Sequence, residues 1–360
     1  MSKPKLRTRI RKDLPAEIFK AKPWRLIWYP VWIAVALATV VAILWPGMPI
    51  WGQLLLSPVL GLAYANLGFL THELLHGTMV RNSHVQDAIG TVGYLPFLIS
   101  PSMWRQWHNR SHHGHTNQGK RDPDSFGPAT TWTETSPKRP YLPLLPGSRT
   151  LVSYAFLFYW FTVHHQLVLW VLSRRMRGFD GTSAKRHFVA AALFWLTVIA
   201  VTGTSSVFIV LIPMAIANFV LMSHIATNHF LRPEANNPHD PVADSMSVRW
   251  PAIVDRLTFY FSHHVEHHLF PSMPMSSAPQ VRAWLETHEA DRYVAPSWAL
   301  AIWWLYRTPR PHLNASTLVD PSDPSRQVDL HKLEFLLKNN IWRAPVPAPD
   351  AQPEVDEHAA

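Results

Sequence analysis

Eight of the 21 histidines in the sequence fall into three clusters that have the spacing of helical metal ligands. The clusters are His72 and His76, then His108, His112 and His113, then His264, His267 and His268. Residues four apart lie on one face of a helix, about 40° from each other, so their side chains reach the same side. One such pair is usually a coincidence. Three clusters of this kind indicate a metal site built from imidazole ligands.

Cysteine is absent from the 360 residues. Disulfides, thiolate-bound zinc, cysteine-ligated iron–sulfur clusters and a cysteine nucleophile are therefore excluded for this chain. Any metal ion must be held by imidazole, carboxylate or carbonyl groups.

The composition predicts a membrane protein, because 48% of the residues are hydrophobic and only 16% are charged. Two long stretches, 26–71 and 188–231, contain no Asp, Glu, Lys or Arg. As a helix the first would be about 69 Å long, roughly twice the ~30 Å hydrocarbon core. Turn-forming residues at 46–49 and 203–206 interrupt the two stretches, which predicts two transmembrane hairpins. We expect the four spans at about 26–45, 51–71, 188–202 and 207–227.

Much of the net charge of +9 lies before the first apolar stretch. Residues 1–25 contain nine Lys or Arg and only two acidic residues, which is typical of a cytoplasmic membrane flank. Neither hairpin tip carries a Lys or Arg, so the positive-inside rule predicts that both hairpins open toward the cytoplasm. We find no signal-peptide cleavage site and no nucleic-acid-binding motif. We therefore expect a retained first span and no nucleic-acid partner.

Two shorter apolar segments are predicted to lie at the membrane surface. Residues 150–173 could cross, but basic residues flank both ends, so a crossing would place one basic cluster on the wrong side. Residues 90–104 are too few to cross. We expect one or two interfacial or re-entrant helices here. The predicted fold is an all-α integral membrane protein with four transmembrane helices arranged as two hairpins.

The predicted domain organisation follows from this topology. Residues 1–25 form a basic cytoplasmic N-terminus, residues 26–310 form the membrane domain, and residues 311–360 form a C-terminal extension. The extension ends in a stretch from Arg343 that is rich in proline and small residues and is predicted to be disordered. Because two crossings separate the second histidine cluster from the third, all three clusters are expected on the cytoplasmic side.

The three clusters resemble the three histidine boxes of the membrane fatty acid desaturases. The matching segments are His72-Glu73-Leu74-Leu75-His76, His108-x3-His112-His113 and His264-x2-His267-His268-Leu269-Phe270-Pro271. The resemblance covers roughly residues 26–310 and includes the order of the hairpins. It implies a histidine-rich cytoplasmic helical cap that holds two non-haem iron ions. It also implies an activity, the O2-dependent removal of two hydrogens from an acyl chain.

The resemblance further implies a set of nine ligands. The family usually has one more histidine ligand after the fourth span, where His229 fits the pattern best and His224 is the alternative. The implied ligands are His72, His76, His108, His112, His113, His229, His264, His267 and His268. His115 and His263 border the boxes. We expect them beside the ligands rather than on the metal ions. The carboxylates that we expect to orient ligands through their second ring nitrogen are Glu73, Asp122, Asp124, Asp240, Asp244 and Glu266.

Reduction of O2 to water requires two external electrons. The chain has no cysteine cluster, no dinucleotide-binding glycine pattern and no fused cytochrome b5-like His-Pro-Gly-Gly signature. We therefore predict a separate electron donor, a ferredoxin or a cytochrome b5-like protein, steered by the basic cytoplasmic face. The expected substrate is an acyl chain on a membrane lipid, or an acyl thioester. The expected location is the cytoplasmic membrane of a bacterium or the endoplasmic reticulum of a eukaryote.

Three other functions are compatible with part of the sequence. The segment from His72 to His76 is also the H-E-x-x-H signature of zinc metalloproteases, with Glu73 as the general base, but a protease would leave the other two clusters without a purpose. The same nine ligands would serve a membrane hydroxylase or ketolase of a lipid or carotenoid. A metal transporter is disfavoured because the hairpins lack acidic and basic residues.

The histidines predicted not to bind metal are His84, His164, His165, His187, His288, His312, His331 and His358.

Overall fold

The structure is a computed structural model that describes residues 5–176, 178–235 and 240–349. His358 and residues 350–360 of the predicted tail lie outside these residues. The α-helices are α1 (Leu6–Asp13), α2 (Trp28–Ile43), α3 (Ile50–Leu75), α4 (Ser83–Gly93), α5 (Pro101–Trp104), α6 (His113–His115), α7 (Trp160–Leu167), α8 (Gly181–Thr202), α9 (Ile212–His229), α10 (Pro241–Asp244), α11 (Ala252–Leu257), α12 (His264–Leu269), α13 (Ala278–His288), α14 (Trp298–Arg307) and α15 (Leu330–Lys338).

Shorter helical segments of other types connect or extend these helices. The 3-10 segments are Ala16–Phe19, Pro23–Ile27, Leu95–Phe97, Ala129–Thr131, Arg139–Leu144, Leu151–Phe158, Ser173–Arg175, Gly203–Ser205 and Met275–Ser277. The π-helical segments are Arg105–His112, Val168–Leu172 and Val207–Leu211.

Four helices are long and apolar enough to cross a membrane, in agreement with the sequence. They are Pro23–Ile43, Ile50–Leu75, Gly181–Ser205 and Val207–His229. Uncharged segments of this length form helices in lipid because every backbone polar group must be bonded within the segment. The second and fourth helices continue past the predicted ends of the spans, and this extension carries histidines at their carboxyl-terminal ends.

The second long helix, α3, is the central helix of the molecule. Of its most apolar stretch, 67% of the residues are buried, against 6% for the third long helix. Gly61 lets α9 approach closely, because a Cβ atom at this position would lie 2.7 Å from Cβ of Ile216 and 3.0 Å from the carbonyl oxygen of Pro213. The close packing of α3 and α9 brings their carboxyl-terminal ends into the same region.

The segment 150–173, predicted to be interfacial or re-entrant, forms two helical pieces. Leu151–Phe158 and Trp160–Leu172 meet at an angle of 81°. The first piece is a 3-10 helix of eight residues, which extends only about 16 Å and cannot cross the membrane by itself. A re-entrant loop and a broken span both have this bent shape.

The helix predicted at residues 90–104 does not form as one element, and this prediction is wrong. α4 ends at Gly93 and α5 begins at Pro101. Between them Leu98 has a φ of +56°, which a right-handed helix cannot contain, and Pro96 has no backbone N–H to donate. The segment packs inside the protein through the buried side chains of Tyr94, Phe97, Ile99, Met103 and Trp104.

The C-terminal extension contains an antiparallel sheet, so the all-α prediction is wrong in this region. The strands, in the order β1-β2-β3, are β1 (His312–Asn314), β2 (Thr317–Asp320) and β3 (Asp323–Asp329). Side-chain oxygens of Asn314 and Asp320 accept backbone hydrogen bonds from Ser316 and Ser322 and so form the two turns. Strands this short, of three, four and seven residues, give no alternating apolar pattern in the sequence.

The basic N-terminal segment packs on the third histidine cluster. Ile10 of α1 and the following Ile18 share a buried core with Leu269 and Phe270. Arg7 donates a hydrogen bond from Nη2 to the backbone carbonyl of His268 at 3.2 Å. The N-terminal segment is thus part of the structure around α12.

Candidate metal centre

α3 and α9 position three of the predicted ligands at their carboxyl-terminal ends. His72 lies in the last turn of α3 and His76 directly follows that helix, with 4.8 Å between the two ring centroids. His229 is the last residue of α9. Since both helices are anchored in the apolar core, the packing of that core sets where these imidazoles stand.

The middle cluster lies on a π-helix, Arg105–His112, where the sequence predicts an α-helix. A π-helix brings residues five apart to one face. His113 therefore stands beside His108, with 3.1 Å between their Nε2 atoms. His112 instead approaches His229, with 4.7 Å between the ring centroids. The π-helix thus sends the ligands of one cluster in two directions.

α12 carries the third cluster and divides it in a similar way. His264 and His268 are one helical turn apart, and their Nε2 atoms are separated by 3.0 Å. His267 points to the other side, where its Nε2 lies 3.0 Å from Nε2 of His113. The start of the helix is held by Ser247, whose hydroxyl accepts a hydrogen bond from the backbone N–H of His264 at 3.0 Å.

The nine predicted ligands form two compact groups. Within each group the nitrogen atoms lie within 4.8 Å of one another. The first group, called the five-histidine group, comprises His72, His76, His108, His113 and His267. The second group, called the four-histidine group, comprises His112, His229, His264 and His268. The structure thus brings together all nine residues from four separate parts of the chain.

The nitrogen atoms face one another in a way that hydrogen bonds alone cannot satisfy. Nε2 of His72 lies 2.9 Å from Nε2 of His108, and Nε2 of His264 lies 2.5 Å from Nε2 of His229. Two facing imidazole nitrogens share at most one hydrogen, so several converging nitrogens leave lone pairs without a donor. Two metal–imidazole bonds of roughly 2.0–2.1 Å at a right angle place their nitrogens about 3 Å apart. The residues in each group therefore fit a metal ion.

Burial keeps most of these imidazoles in the neutral form. Burial, followed by the charge that His112 would carry, lowers the pKa of His76 to about 3. Burial and neighbouring imidazoles also hold the pKa well below its ordinary value in His108, His113, His264, His267 and His268. Neutral imidazole is the form that binds a metal ion, because a proton would occupy the lone pair.

His112 is held by two carboxylates. Its Nδ1 lies 2.9 Å from Oδ1 of Asp122 and 3.2 Å from Oδ2 of Asp124. Burial opposes a charge on His112, but the two carboxylates outweigh burial and raise its pKa to about 9. At neutral pH this pKa favours the charged ring, so a metal ion that binds Nε2 would displace the hydrogen there while the carboxylates keep the hydrogen on Nδ1. Asp122 and Asp124 thus make the contact that the sequence predicts for carboxylates near the boxes.

Two other predicted carboxylates have different partners. Glu73 forms an ion pair with Arg25, with 2.7 Å between Oε2 and Nη2. Glu266 accepts a hydrogen bond from the hydroxyl of Tyr293 at 2.5 Å. Neither bonds to a ligand histidine in the part of the chain that the structure describes, so the prediction is wrong for both. The last two carboxylates of that prediction belong to Asp240 and Asp244. The backbone N–H of Asp240 donates a hydrogen bond to Oδ2 of Asp244 at 2.8 Å, and the carboxylate of Asp240 pairs with Arg292.

His224, the alternative ninth ligand, stands outside both groups. Its Nδ1 bonds to the backbone carbonyl of Val220 at 2.8 Å, and its ring stacks on Trp250. His229, by contrast, lies inside the four-histidine group. The bordering histidines that also stand outside both groups are His115 and His263.

A narrow apolar cavity of about 30 Å³ lies beside both groups. It reaches His72 and His108 of the five-histidine group and His229 and His264 of the four-histidine group. Its walls are aromatic, formed by Trp104, Trp107, Trp160, Phe161, Phe230 and Phe261. This apolar lining keeps bulk water away from the imidazoles.

Some partners of the site could not be found from sequence spacing. Oδ1 of Asp124 accepts a hydrogen bond from Nε1 of Trp107 at 2.7 Å and lies 3.0 Å from Nε2 of His164. His164 is 40 residues further along the chain, and only folding brings it near. The location of Trp107 inside the middle box was the one available signal. His164 thus contacts Asp124, and it is in none of the groups of described residues that could hold a metal ion.

Comparison with known proteins covers the part of the chain that carries the two histidine groups. Residues 49–301 match the family described as fatty acid desaturase. This match covers more than two thirds of the chain and includes all nine histidines of the two groups. The chain is 25% identical to a Delta(8)-fatty-acid desaturase of Euglena gracilis, with 84% of this chain and 74% of the relative aligned.

Two plant relatives extend the comparison. The chain is 24% identical to a chloroplastic omega-6 fatty acid desaturase of Spinacia oleracea, and it spans about half the length of that relative, 49%. It is 22% identical to a chloroplastic omega-6 fatty acid desaturase of Brassica napus, with 74% of this chain and 60% of the relative aligned. With the four apolar helices and the two histidine groups, these matches confirm the resemblance seen in the boxes. The chain therefore belongs to the fatty acid desaturase family and is a membrane enzyme of that family.

Proposed function

We propose that the chain is an O2-dependent fatty acid desaturase that binds two non-haem iron ions. The observation that carries this proposal is the assembly of nine imidazoles into two groups beside one apolar cavity. One iron ion is assigned to the five-histidine group and the other to the four-histidine group. Imidazole ligands suit iron, and the bound iron ions supply the activation of O2.

The proposed reaction converts a –CH2–CH2– unit of an acyl chain into –CH=CH–. One O2 takes up the two hydrogen atoms of the chain together with two electrons and two protons from outside, and leaves as two water molecules. In this proposal the aromatic side chains of the cavity contact the reacting part of the acyl chain and keep bulk water away. Asp122 and Asp124 hold the Nδ1 proton of His112 and so fix the orientation of that ring.

The substrate and the electron donor are proposed from the chemistry of the site. The relatives are named as desaturases of fatty acids, which supports a fatty acyl chain carried by a membrane lipid or a thioester. The chain contains no cysteine, so the two electrons are assigned to a separate ferredoxin or cytochrome b5-like donor. The net charge of +9 favours an acidic donor.

The membrane topology is proposed from the long helices and the charges. In the membrane domain, residues 26–310, four spans form two hairpins that open toward the cytoplasm. The histidine-bearing segments then lie in a cytoplasmic cap. Basic residues before the first span support this orientation. The bent segment 150–173 is assigned as re-entrant, because a further crossing would separate the second and third boxes. Residues 1–25 and 311–360 flank this domain.

The zinc protease alternative is disfavoured by the position of Glu73. The general base of a protease must reach a water molecule, whereas both carboxylate oxygens of Glu73 are already bonded, one to Arg25 and one to the backbone N–H of Met275. Hydroxylation or ketolation of a lipid or carotenoid would use the same ligands. The product distinguishes these reactions from desaturation.

The test is expression in a host with a simple fatty acid profile, followed by mass spectrometry of double-bond positions. We expect a new unsaturated fatty acid that disappears in the His267→Ala variant. The matched control is His331→Ala, which removes an exposed histidine far from the site in the sequence and should leave the product unchanged. An oxygenated product would assign the chain to the hydroxylases instead. Purified protein should contain about two iron ions per chain, and one zinc ion without iron would support the protease.

A further inference from the structure

A second cavity, of about 190 Å³, is formed by residues that take no part in the metal centre. Its walls come from the segments 142–150, 309–311 and 320–322. None of these residues is among the nine histidines, and none lines the aromatic cavity. The first segment leads into Leu151–Phe158, and the second follows α14, so the cavity joins the membrane-facing region to the C-terminal sheet.

Arg310 is a wall residue of this cavity and is only 2% exposed. It donates hydrogen bonds to three neutral oxygens, the backbone carbonyls of Phe230 at 2.7 Å and of Thr308 at 2.6 Å and the hydroxyl of Thr308. Within the described part of the chain, its Nε has no hydrogen-bond partner and no carboxylate lies within ion-pair distance. Burial, with a contribution from Arg326, lowers the pKa of Arg310 to about 9. A buried guanidinium without a counterion is costly, and an anion in the cavity would offset that cost.

The other charged groups around the cavity leave it positive. Arg326 lies 2.5 Å from Oδ2 of Asp320 and donates to the carbonyl of Gly147 at 2.9 Å. Arg139 donates to the carbonyl of Pro321 at 2.9 Å. The guanidinium groups of Arg310, Arg326 and Arg139 and the carboxylate of Asp320 either line the cavity or bond to residues that line it. Together they give the cavity a net charge of +2. Guanidinium groups recognise phosphate by paired hydrogen bonds.

Beside this positive cavity the surface is apolar. Leu151, which follows the wall residue Thr150, is 90% exposed, and the nearby Val152 and Tyr154 are also exposed. Tyr154 stacks on Tyr306 of α14, with 5.2 Å between the ring centroids. Exposed apolar side chains next to cationic groups are typical of a protein surface that contacts lipid head groups and the start of their chains.

We propose that this cavity binds the phosphate group of an anionic membrane lipid, with Arg310 and Arg326 as the donors. The exposed apolar residues favour a lipid over a free phosphate compound, because they would contact the lipid chains. The site goes beyond the proposed reaction and does not require it. It is nevertheless joined to the metal centre, since the carbonyl that Arg310 holds belongs to Phe230, the residue after His229. A bound lipid would therefore steady the end of α9.

The test is lipid binding by the purified full-length protein in phosphatidylcholine nanodiscs that contain phosphatidic acid, read by native mass spectrometry. We expect one retained phosphatidic acid per chain. Arg326→Gln should weaken this binding by about tenfold or more, because it removes a charged hydrogen-bond donor. Asp320→Asn breaks the same ion pair but raises the positive charge, so it should bind phosphatidic acid as tightly or more tightly. A purely structural role of the pair would make both variants change binding in the same direction.

The control is Arg292→Gln, which removes an exposed arginine from a different ion pair with Asp240 and should leave binding unchanged. If Arg326→Gln fails to fold, Arg139→Gln tests the same cavity and should also weaken binding. Equal retention of phosphatidylcholine and phosphatidic acid would overturn the proposal. Displacement of phosphatidic acid by inorganic phosphate at matched concentration would show that the cavity binds free phosphate rather than a lipid.

Discussion

Arg25 and Glu73 form an ion pair that is buried at both ends, with side chains only 3% and 2% exposed and 2.7 Å between Nη2 and Oε2. Glu73 stands between the ligands His72 and His76 in the first box. Its other oxygen accepts the backbone N–H of Met275, just beyond the third box, at 2.9 Å. One carboxylate thus joins the N-terminal segment, the first box and the chain after the third box.

Removal of Arg25 should strongly destabilise the protein. Arg25→Met leaves the charge of Glu73 buried and without its partner, which costs roughly 3–5 kcal/mol of the free energy of unfolding. We expect a lower thermal midpoint and less bound iron in purified protein, measured by thermal denaturation and by metal analysis.

The matched control for Arg25 is Lys20→Met. Lys20 pairs with Glu17 at the surface, with side chains 69% and 72% exposed, and loss of that pair should change the free energy of unfolding by less than about 1 kcal/mol. The double variant Arg25→Met, Glu73→Gln should recover part of the lost stability, because it removes the unpaired charge. Equal stability of Arg25→Met and the control would contradict the importance of the buried pair.

A carboxylate at position 122 should be needed for metal binding. Asp122 accepts the Nδ1 hydrogen of His112 with one oxygen and the backbone N–H of Asn117, at 2.8 Å, with the other. In Asp122→Asn one of these donors would face an amide nitrogen, so one bond is lost. We expect a 10–100-fold loss of metal affinity or activity, roughly the effect of removing a group that orients a ligand.

The control for Asp122 is Glu286→Gln, which breaks the exposed ion pair between Glu286 and Arg249. This change should leave iron content within the error of metal analysis. Full iron and full activity in Asp122→Asn would show that the contact with His112 is dispensable.

The identities of the site histidines could be predicted from sequence because ligand chemistry depends on residue type and short spacing. The four long helices could be predicted because uncharged stretches of their length have few alternatives in lipid. The division of the nine imidazoles into groups of five and four could not be predicted. It depends on the π-helix Arg105–His112, which pairs His108 with His113, whereas the expected geometry was that of an α-helix.

The contacts between distant residues were beyond local sequence patterns for a different reason. Arg25 meets Glu73 across 48 residues, and Asp124 meets His164 across 40. Such pairs are set by the packing of whole helices, which periodicity does not describe. The short strands from 312 to 329 escaped detection because their side chains do not alternate between apolar and polar over a sufficient length.

The crossing of α3 and α9 at Gly61 should tolerate no side chain. In Gly61→Ala the new Cβ would lie 2.7 Å from Cβ of Ile216, so the two helices must move apart, at a cost of roughly 1–3 kcal/mol. We expect a lower thermal midpoint and reduced activity, because α3 and α9 carry ligands of both groups. Gly181→Ala is the control, since its nearest atom, Oγ of Ser173, is at an ordinary 3.5 Å. Equal thermal midpoints would rule out a tight crossing.

The two histidine groups should lose their metal ions separately. His267→Ala removes a ligand from the five-histidine group, and His264→Ala removes one from the four-histidine group. Because each change opens only one coordination sphere, we expect each folded variant to fall from about two iron ions per chain to about one, and the double variant to fall to nearly none. Metal analysis of the purified proteins measures this, with His331→Ala as the control that keeps both ions. Loss of both ions in each folded single variant would show that the nine imidazoles act as one site, and retention of both would exclude these histidines as ligands.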